Sequence, residues 1–203
     1  MHVNCDSSSL KAELKQELLS ISQAMEQSLL ALDQEEGCLL GTFDHIRSRF
    51  SRLETVAASF YLQCYLAPYT EKYIDLTIAV QHLAEKRQGA LIVIERDDSL
   101  AEHLQAGIPI GAVLSYSLLE SIFFPGSPLH DGAVYVRDNQ IVSAANVLPL
   151  SHIEVGEKKL GTRHRAALGL SEQSDALVIV VSEETGKASF AMQGRLYPII
   201  TPA

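Results

Sequence analysis

The chain has 203 residues, 47% of them hydrophobic, enough for one sizeable core or for one core plus a small appendage. A formal net charge of -9 argues against a non-specific grip on DNA or RNA, which needs a broad cationic surface to displace counterions. Any anion site must therefore be local, and no nucleic-acid partner is expected. Cys5, Cys38 and Cys64 are odd in number, widely spaced and outside any CxxC pattern, so a reduced, cytoplasmic compartment is the simplest reading. The N-terminus shows no basic region followed by an apolar run. The longest aliphatic run, residues 176–181, falls far short of the roughly twenty residues that span a bilayer, so no membrane insertion is expected.

Ser7, Ser8 and Ser9 offer N-caps to a helical pattern that starts at Leu10. Its apolar stripe runs through Leu14, Leu18, Ile21, Met25, Leu29 and Leu32 at three- and four-residue spacing, and Gly37 is a plausible stop. A second stripe follows at Phe43, Ile46, Phe50, Leu53, Ala57, Phe60 and Cys64, a spacing that suits one helix packing along another. Pro68 ends it. Two such helices form a hairpin with little core of its own, so their apolar face must find the rest of the chain or another subunit.

Charge does not separate the two parts of the chain, but after Pro68 the pattern changes from helices only to alternating helices and strands, so residues 1–68 and 69–203 are read as a helical extension and a second domain. A helix from Thr70 to about Lys86, stopped by Gly89, leads into Ala90-Leu91-Ile92-Val93-Ile94, an aliphatic run that reads as a buried strand. A short strand over 110–114 and a helix over 115–124 come next. Segments 133–137 and 141–148 flank Asp138-Asn139-Gln140 as a hairpin. A helix over 160–170, a buried strand over 176–182 and a further strand over 188–192 complete the pattern. Alternating helices and strands with hairpins among them predict an α/β fold: a mixed central β-sheet flanked by helices, with an N-terminal two-helix extension.

Two polar clusters stand out from these apolar surroundings. Pro128-Leu129-His130-Asp131-Gly132-Ala133 places an imidazole and a carboxylate on a glycine turn at the mouth of a strand, and strand ends are where α/β sheets place ligands. Gly161-Thr162-Arg163-His164-Arg165 packs a hydroxyl, two guanidiniums and an imidazole into a helix start, with Lys158 and Lys159 just upstream against Glu157. Cations are unfavourable at the positive end of a helix dipole unless an anion joins them, and free backbone N–H groups at that end bind the same anion. Ser182-Glu183-Glu184 follows a buried strand, either as a simple turn or as a metal or ribose contact. The remaining histidines show no ligand spacing, and no Cys/His pattern suggests zinc.

These residues resemble a diadenylate cyclase domain: Asp131-Gly132-Ala133 followed by Gly161-Thr162-Arg163-His164-Arg165, with residues 89–95 upstream and Ser182-Glu183-Glu184-Thr185 downstream. The resemblance covers about Tyr69 to the C-terminus. It implies an enzyme that joins two ATP molecules into cyclic di-AMP and releases two pyrophosphates, using a divalent metal, Mn2+ or Mg2+. By motif, Asp131 would act on the ribose 3′-hydroxyl as metal ligand, general base or both, with His130 a further candidate ligand. Thr162, Arg163, His164 and Arg165 would hold the triphosphate. Gly132, beside Ala133, would let backbone approach the nucleotide, and Leu148 would touch the adenosine. Ser182 and Glu184 would line the phosphate and metal side. Val147 stands where some members carry an aromatic.

Because the product has two identical links, the resemblance implies a homo-oligomer whose catalytic domains meet face to face. The short helical extension is similar to that of the sporulation-associated type, in which those helices restrain activity. A nucleotide sensor without turnover and a helical oligomerisation protein are the competing readings. An intact Asp131 beside a complete Arg163-His164-Arg165 favours the enzyme over the first, and the second leaves both clusters unexplained.

Overall fold

The computed structural model describes residues 8–33, 38–152 and 160–200. Helices α1 (Ser8–Asp33) and α2 (Leu40–Leu66) are the two expected N-terminal helices. Ser7 and Gly37, expected as cap and stop, lie outside the described residues, as do Glu157, Lys158 and Lys159. Among the described apolar residues of α1 only Ile21 is buried, while Leu18, Met25 and Leu29 are at least half exposed. Arg49 of α2 reaches back to α1, donating to Glu17 Oε2 and Ser20 Oγ, each at 2.7 Å. The C-terminal half of α2 is anchored differently. Ala58 and Leu66 lie within the main core, with Leu62 and Tyr65 packed against it.

Helix α3 (Tyr73–Glu85) begins three residues later than its apolar pattern suggests. The cause is Thr70, which is buried: its hydroxyl donates to Asn139 Oδ1 at 3.0 Å and accepts from the Lys72 N–H at 3.0 Å. Such local side-chain bonds offer the backbone an alternative to the helix.

The sheet has seven strands among the described residues: β1 (Ala90–Ile94), β2 (Ile108–Val113), β3 (Ala133–Arg137), β4 (Gln140–Asn146), β5 (Leu177–Val181), β6 (Ala188–Met192) and β7 (Arg195–Ile199). Their order is β2-β4-β3-β1-β5-β6-β7, and β1 with β3 is the one parallel pair. This is the mixed sheet expected. Along β1 the side chains alternate between two cores, which explains an unbroken aliphatic run. Ala90, Ile92 and Ile94 face α2, α3 and α4 (Tyr116–Ile122), while Leu91 and Val93 face α5 (Thr162–Gln173).

Strand β7 was not expected from the sequence. Pro198 interrupts its apolar pattern, and proline is tolerated because β7 is an edge strand. Helix α2 covers that edge: the Ile200 N–H donates to Ser59 Oγ at 2.8 Å. Cys64 is disulfide-bonded, whereas Cys38 is free and exposed. Among the described residues no helix is long and apolar enough to cross a membrane.

Register decides what meets at the centre. Ile92 lies opposite Val134, so Ala90 is level with Gly132; Val181 lies opposite Ala90, and Asn146 opposite Ala133. Gly89, Gly132, Val147 and Ser182 therefore share one end of the central strands.

Candidate active site

Asp131 and Gly132 lead into β3 at that shared end. Ligands in parallel sheets gather at carboxyl ends of strands. Here the mouth is the amino end of β1 and β3, and antiparallel β4 and β5 bring their carboxyl ends to it. Gly132 has φ +105, and a Cβ there would stand 2.8 Å from Ala145 C and 2.9 Å from Asn146 O. The turn needs glycine for its conformation and for its close contact with β4. Asp131 is exposed, and among the described residues no hydrogen bond or ion pair holds its carboxylate. His130 is half-buried, with Nδ1 against the Ser127 carbonyl at 2.5 Å. A carbonyl only accepts, so Nδ1 carries the proton, and in the neutral ring Nε2 keeps its lone pair.

The second cluster opens α5, as expected. Gly161 is its N-cap and offers no side-chain cap bond, and its first turn holds no acid, so the backbone N–H groups at this helix start are not capped by Gly161. Thr162 is exposed. The Arg163 guanidinium lies over Gly89, where a Cβ would stand 2.6 Å from Nη1, and donates to Glu183 Oε2 at 2.7 Å. That ion pair ties the helix start to the end of β5. Burial pushes the His164 imidazole below its usual pKa, with the nearby Glu184 charge pulling the other way. Burial thus favours the uncharged form of this ring.

Arg165 turns inward. Its Nε and Nη2 donate to the Ser151 carbonyl at 3.3 and 3.2 Å, and the Ser151 N–H returns a bond to the Arg165 carbonyl at 2.9 Å. The same helix face carries Gly169, whose Cβ position is filled by the backbone of Pro149, Leu150 and Ser151. Segment 148–151 is thus clamped along α5. Leu148 is 7% exposed and belongs with Ala133, Ala166 and Leu170 to the core beneath α5, whereas Val147 is exposed. The structure therefore gives the Leu148 and Ala133 side chains to packing. Ser182 spends its hydroxyl on the turn, accepting from the Thr185 N–H at 3.3 Å, and Glu184 is exposed beside it.

Asn146, Gly169 and the pairing of Glu183 with Arg163 were not read from the sequence. A polar residue ending an apolar strand and a glycine inside a helix were the available signals. No group of three or more His, Cys, Asp or Glu able to hold a metal occurs among the described residues. The open Asp131 carboxylate, an oxygen donor, does fit a hard divalent cation that takes its other ligands from substrate phosphates.

An α/β domain with a carboxylate loop and an uncapped cationic helix start at one sheet end is the class that binds nucleotides through their phosphates. The sequence matches, over residues 77–196, the family described as DisA bacterial checkpoint controller nucleotide-binding, and over residues 1–69 that described as diadenylate cyclase CdaS, N-terminal. The chain belongs to the diadenylate cyclase family and carries the N-terminal helices of its CdaS branch. It is 49% identical to a diadenylate cyclase CdaS of Bacillus thuringiensis, over 95% of this chain and 96% of that one. It is 54% identical to a cyclic di-AMP synthase CdaS of Bacillus subtilis, over 86% and 84%. Among solved structures, one titled a hypothetical membrane spanning protein from Bacillus cereus superposes with TM-score 0.75 at 49% identity, covering 94% of both chains. A double mutant of DacA from Staphylococcus aureus superposes with TM-score 0.60 at 44% identity, over 63% of this chain and 85% of that one.

Proposed function

We propose that the chain condenses two ATP molecules into cyclic di-AMP at an interface between two copies of its catalytic domain, residues 69–203. The observation that carries this reading is the meeting of an unpaired Asp131 carboxylate and the cationic start of α5 at one end of the central strands. Asp131 takes the proton of a ribose 3′-hydroxyl. The freed oxygen forms a bond to the α-phosphorus of the other ATP, the bond from that phosphorus to the β-phosphate oxygen breaks, and pyrophosphate leaves. Repeating the step with the roles exchanged closes the ring.

Arg163, steadied by Glu183, and the backbone N–H groups of the α5 start hold the departing phosphates, with the Thr162 hydroxyl beside them. Arg165 adds positive charge while keeping segment 148–151 in place. His164 supplies a further hydrogen bond to those phosphates. Ser182 and Glu184 border the same phosphates, and Gly132 keeps the floor of the site low. A divalent cation, Mn2+ or Mg2+, when bound, acidifies the hydroxyl and screens the phosphates. Asp131 and His130 Nε2 are the groups of this chain that would hold it.

Each domain offers one carboxylate and one phosphate grip on an open face. Two domains related by a two-fold axis use that set twice, as two identical links require. Incubating the full chain with ATP and either metal should give cyclic di-AMP and two pyrophosphates by mass spectrometry. Asp131→Asn should abolish product without changing the thermal melt. Tight ATP binding with no cyclic product from the wild-type chain would replace the enzyme with a sensor.

The N-terminal helices restrain this reaction by holding copies in an arrangement that keeps the open faces apart. Their means is the apolar groove between α1 and the first half of α2, where Leu18, Met25 and Leu29 face Phe43 and Phe50. The structure sharpens how to test it. Removing residues 1–68 would strip Ala58 and Leu66 from the core, so the cut belongs before α2. Deleting residues 1–37 should shrink the particle in light scattering and raise product formed per chain. Unchanged particle size and rate would refute restraint.

A further inference from the structure

Asn146 is the last residue of β4 and is 3% exposed. A carboxamide so buried must have its polar atoms matched. Nδ2 donates to the Ala133 carbonyl at 2.8 Å, and Oδ1 accepts from the Ser143 hydroxyl at 3.0 Å. Both partners border a break in register. Strands β3 and β4 pair at Ala133 with Asn146 and again at Tyr135 with Ser143, so β4 carries an extra residue between the two pairs. Within that bulge Ala145 has φ +55, a conformation that a residue with a Cβ holds only when its surroundings impose it.

The space around the carboxamide is shaped to it. A Cβ on Gly107 would collide with Asn146 Oδ1, and Gly132 rests directly on the backbone of Ala145 and Asn146. Asp131 is the next residue back along the chain. Since no described side-chain partner fixes its carboxylate, its place is set through the backbone, by Gly132 and by the bulge on which Gly132 lies.

We infer that Asn146 is a positioning residue for Asp131: its carboxamide bridges the β3–β4 bulge and thereby fixes where the carboxylate meets the ribose hydroxyl. This rests on the diadenylate cyclase reading of Asp131. A shorter side chain leaves the Ala133 carbonyl and the Ser143 hydroxyl unmatched and lets the bulge relax. Asp131 then shifts by a fraction of an ångström or more. A displacement of about 1 Å at a reacting group costs up to about a hundredfold in rate.

The test uses the full chain and two variants, Asn146→Ser and Ser143→Ala. For each, kcat and KM for ATP are measured per folded molecule, with folding followed by thermal melt and ATP-site occupancy by titration with a non-reacting ATP analogue. For Asn146→Ser the expected result is a fall in kcat of about tenfold or more with KM and analogue affinity within about twofold of wild type. For Ser143→Ala, which keeps the Nδ2 bond but frees Oδ1, a smaller loss confined to kcat is expected. A melt lowered with kcat unchanged, or KM raised with kcat unchanged, would overturn the inference. If Asn146→Ser does not fold, Ser143→Ala decides: a wild-type kcat there overturns it. A wild-type chain that makes no cyclic di-AMP would instead defeat the underlying reading of the site.

Discussion

Replacing Gly169 with alanine should destabilise the protein, although the residue lies inside a helix. In an open helix the same change stabilises by about 0.8–1.0 kcal/mol. Here the new Cβ would stand 2.6 Å from the Ser151 nitrogen and 2.7 Å from Leu150 C, and closer still to the Pro149 carbonyl oxygen. All three are backbone atoms, so no side chain can swing away. Helix α5 and segment 148–151 must part by about 1 Å to reach ordinary contact. Overpacking of that kind costs roughly 1–3 kcal/mol, and the separation also stretches the paired bonds between Arg165 and Ser151. Net of the helix gain the overpacking leaves up to about 2 kcal/mol, to which the stretched bonds add, so a loss of about 1–2 kcal/mol is expected. For a chain of this size it lowers Tm by roughly 2–8 °C. Circular dichroism melts of the full chain measure it. A Tm equal to or above wild type would show that segment 148–151 yields freely and that α5 is not seated against it. Because α5 carries Thr162 to Arg165, the same variant should raise KM for ATP several-fold.

Acidification should expose the burial of His164. Its folded pKa lies below the usual value near 6.5, so the unfolded chain takes up a proton that the native ring refuses. Stability from this source is full above about pH 6.5 and declines as pH falls through the folded value; urea melts between pH 7.5 and 5.5 should show a shallower decline in His164→Gln, and parallel curves would refute the assignment. On the opposite face of the sheet, the Lys86 ammonium at 2.8 Å and the His82 ring at 2.6 Å hold the Glu120 carboxyl below its usual pKa. That link between α3 and α4 acts above the ordinary carboxylate range and fades as pH falls through the lowered value. Because Lys86 is half exposed, Glu120→Gln should cost no more than about 1 kcal/mol at neutral pH, and nothing once Glu120 is protonated in both states. Equal losses at pH 7 and at a pH low enough to protonate Glu120 in the folded chain would show that shape rather than charge joins the helices.

What could be read from the amino acids follows from the range of each signal. Strand β1 was legible to the residue because burial on both faces writes an unbroken aliphatic run. Both polar clusters were legible because each is contiguous, and a chemical group beside a glycine or a helix start speaks for itself. Strand β7 was hidden because its apolar pattern is short and broken by Pro198, and its support comes from α2, far away in the chain. The packing of Gly169 against Leu150 and the bracing of Ala133 by Asn146 depend on register, which one strand's composition does not state. Leu148 was named from the motif, and the packing of its side chain under α5 is a further fact that no motif states. The same through-space logic explains why Glu183, beside the motif residues Ser182 and Glu184, is the one that grips Arg163.

The contact between Ile200 and Ser59 joins residues 141 positions apart. During synthesis α2 leaves the ribosome long before the strand that covers it exists. At about 5–20 residues per second, the interval is roughly 7–30 s. Through that time the apolar half of α2, including Ala58 and Leu66, has only α1 and the early part of the sheet for company. The apolar half of α2 therefore stays without its final cover until the last residues of the chain are made, and closure of the sheet edge is among the last steps of folding.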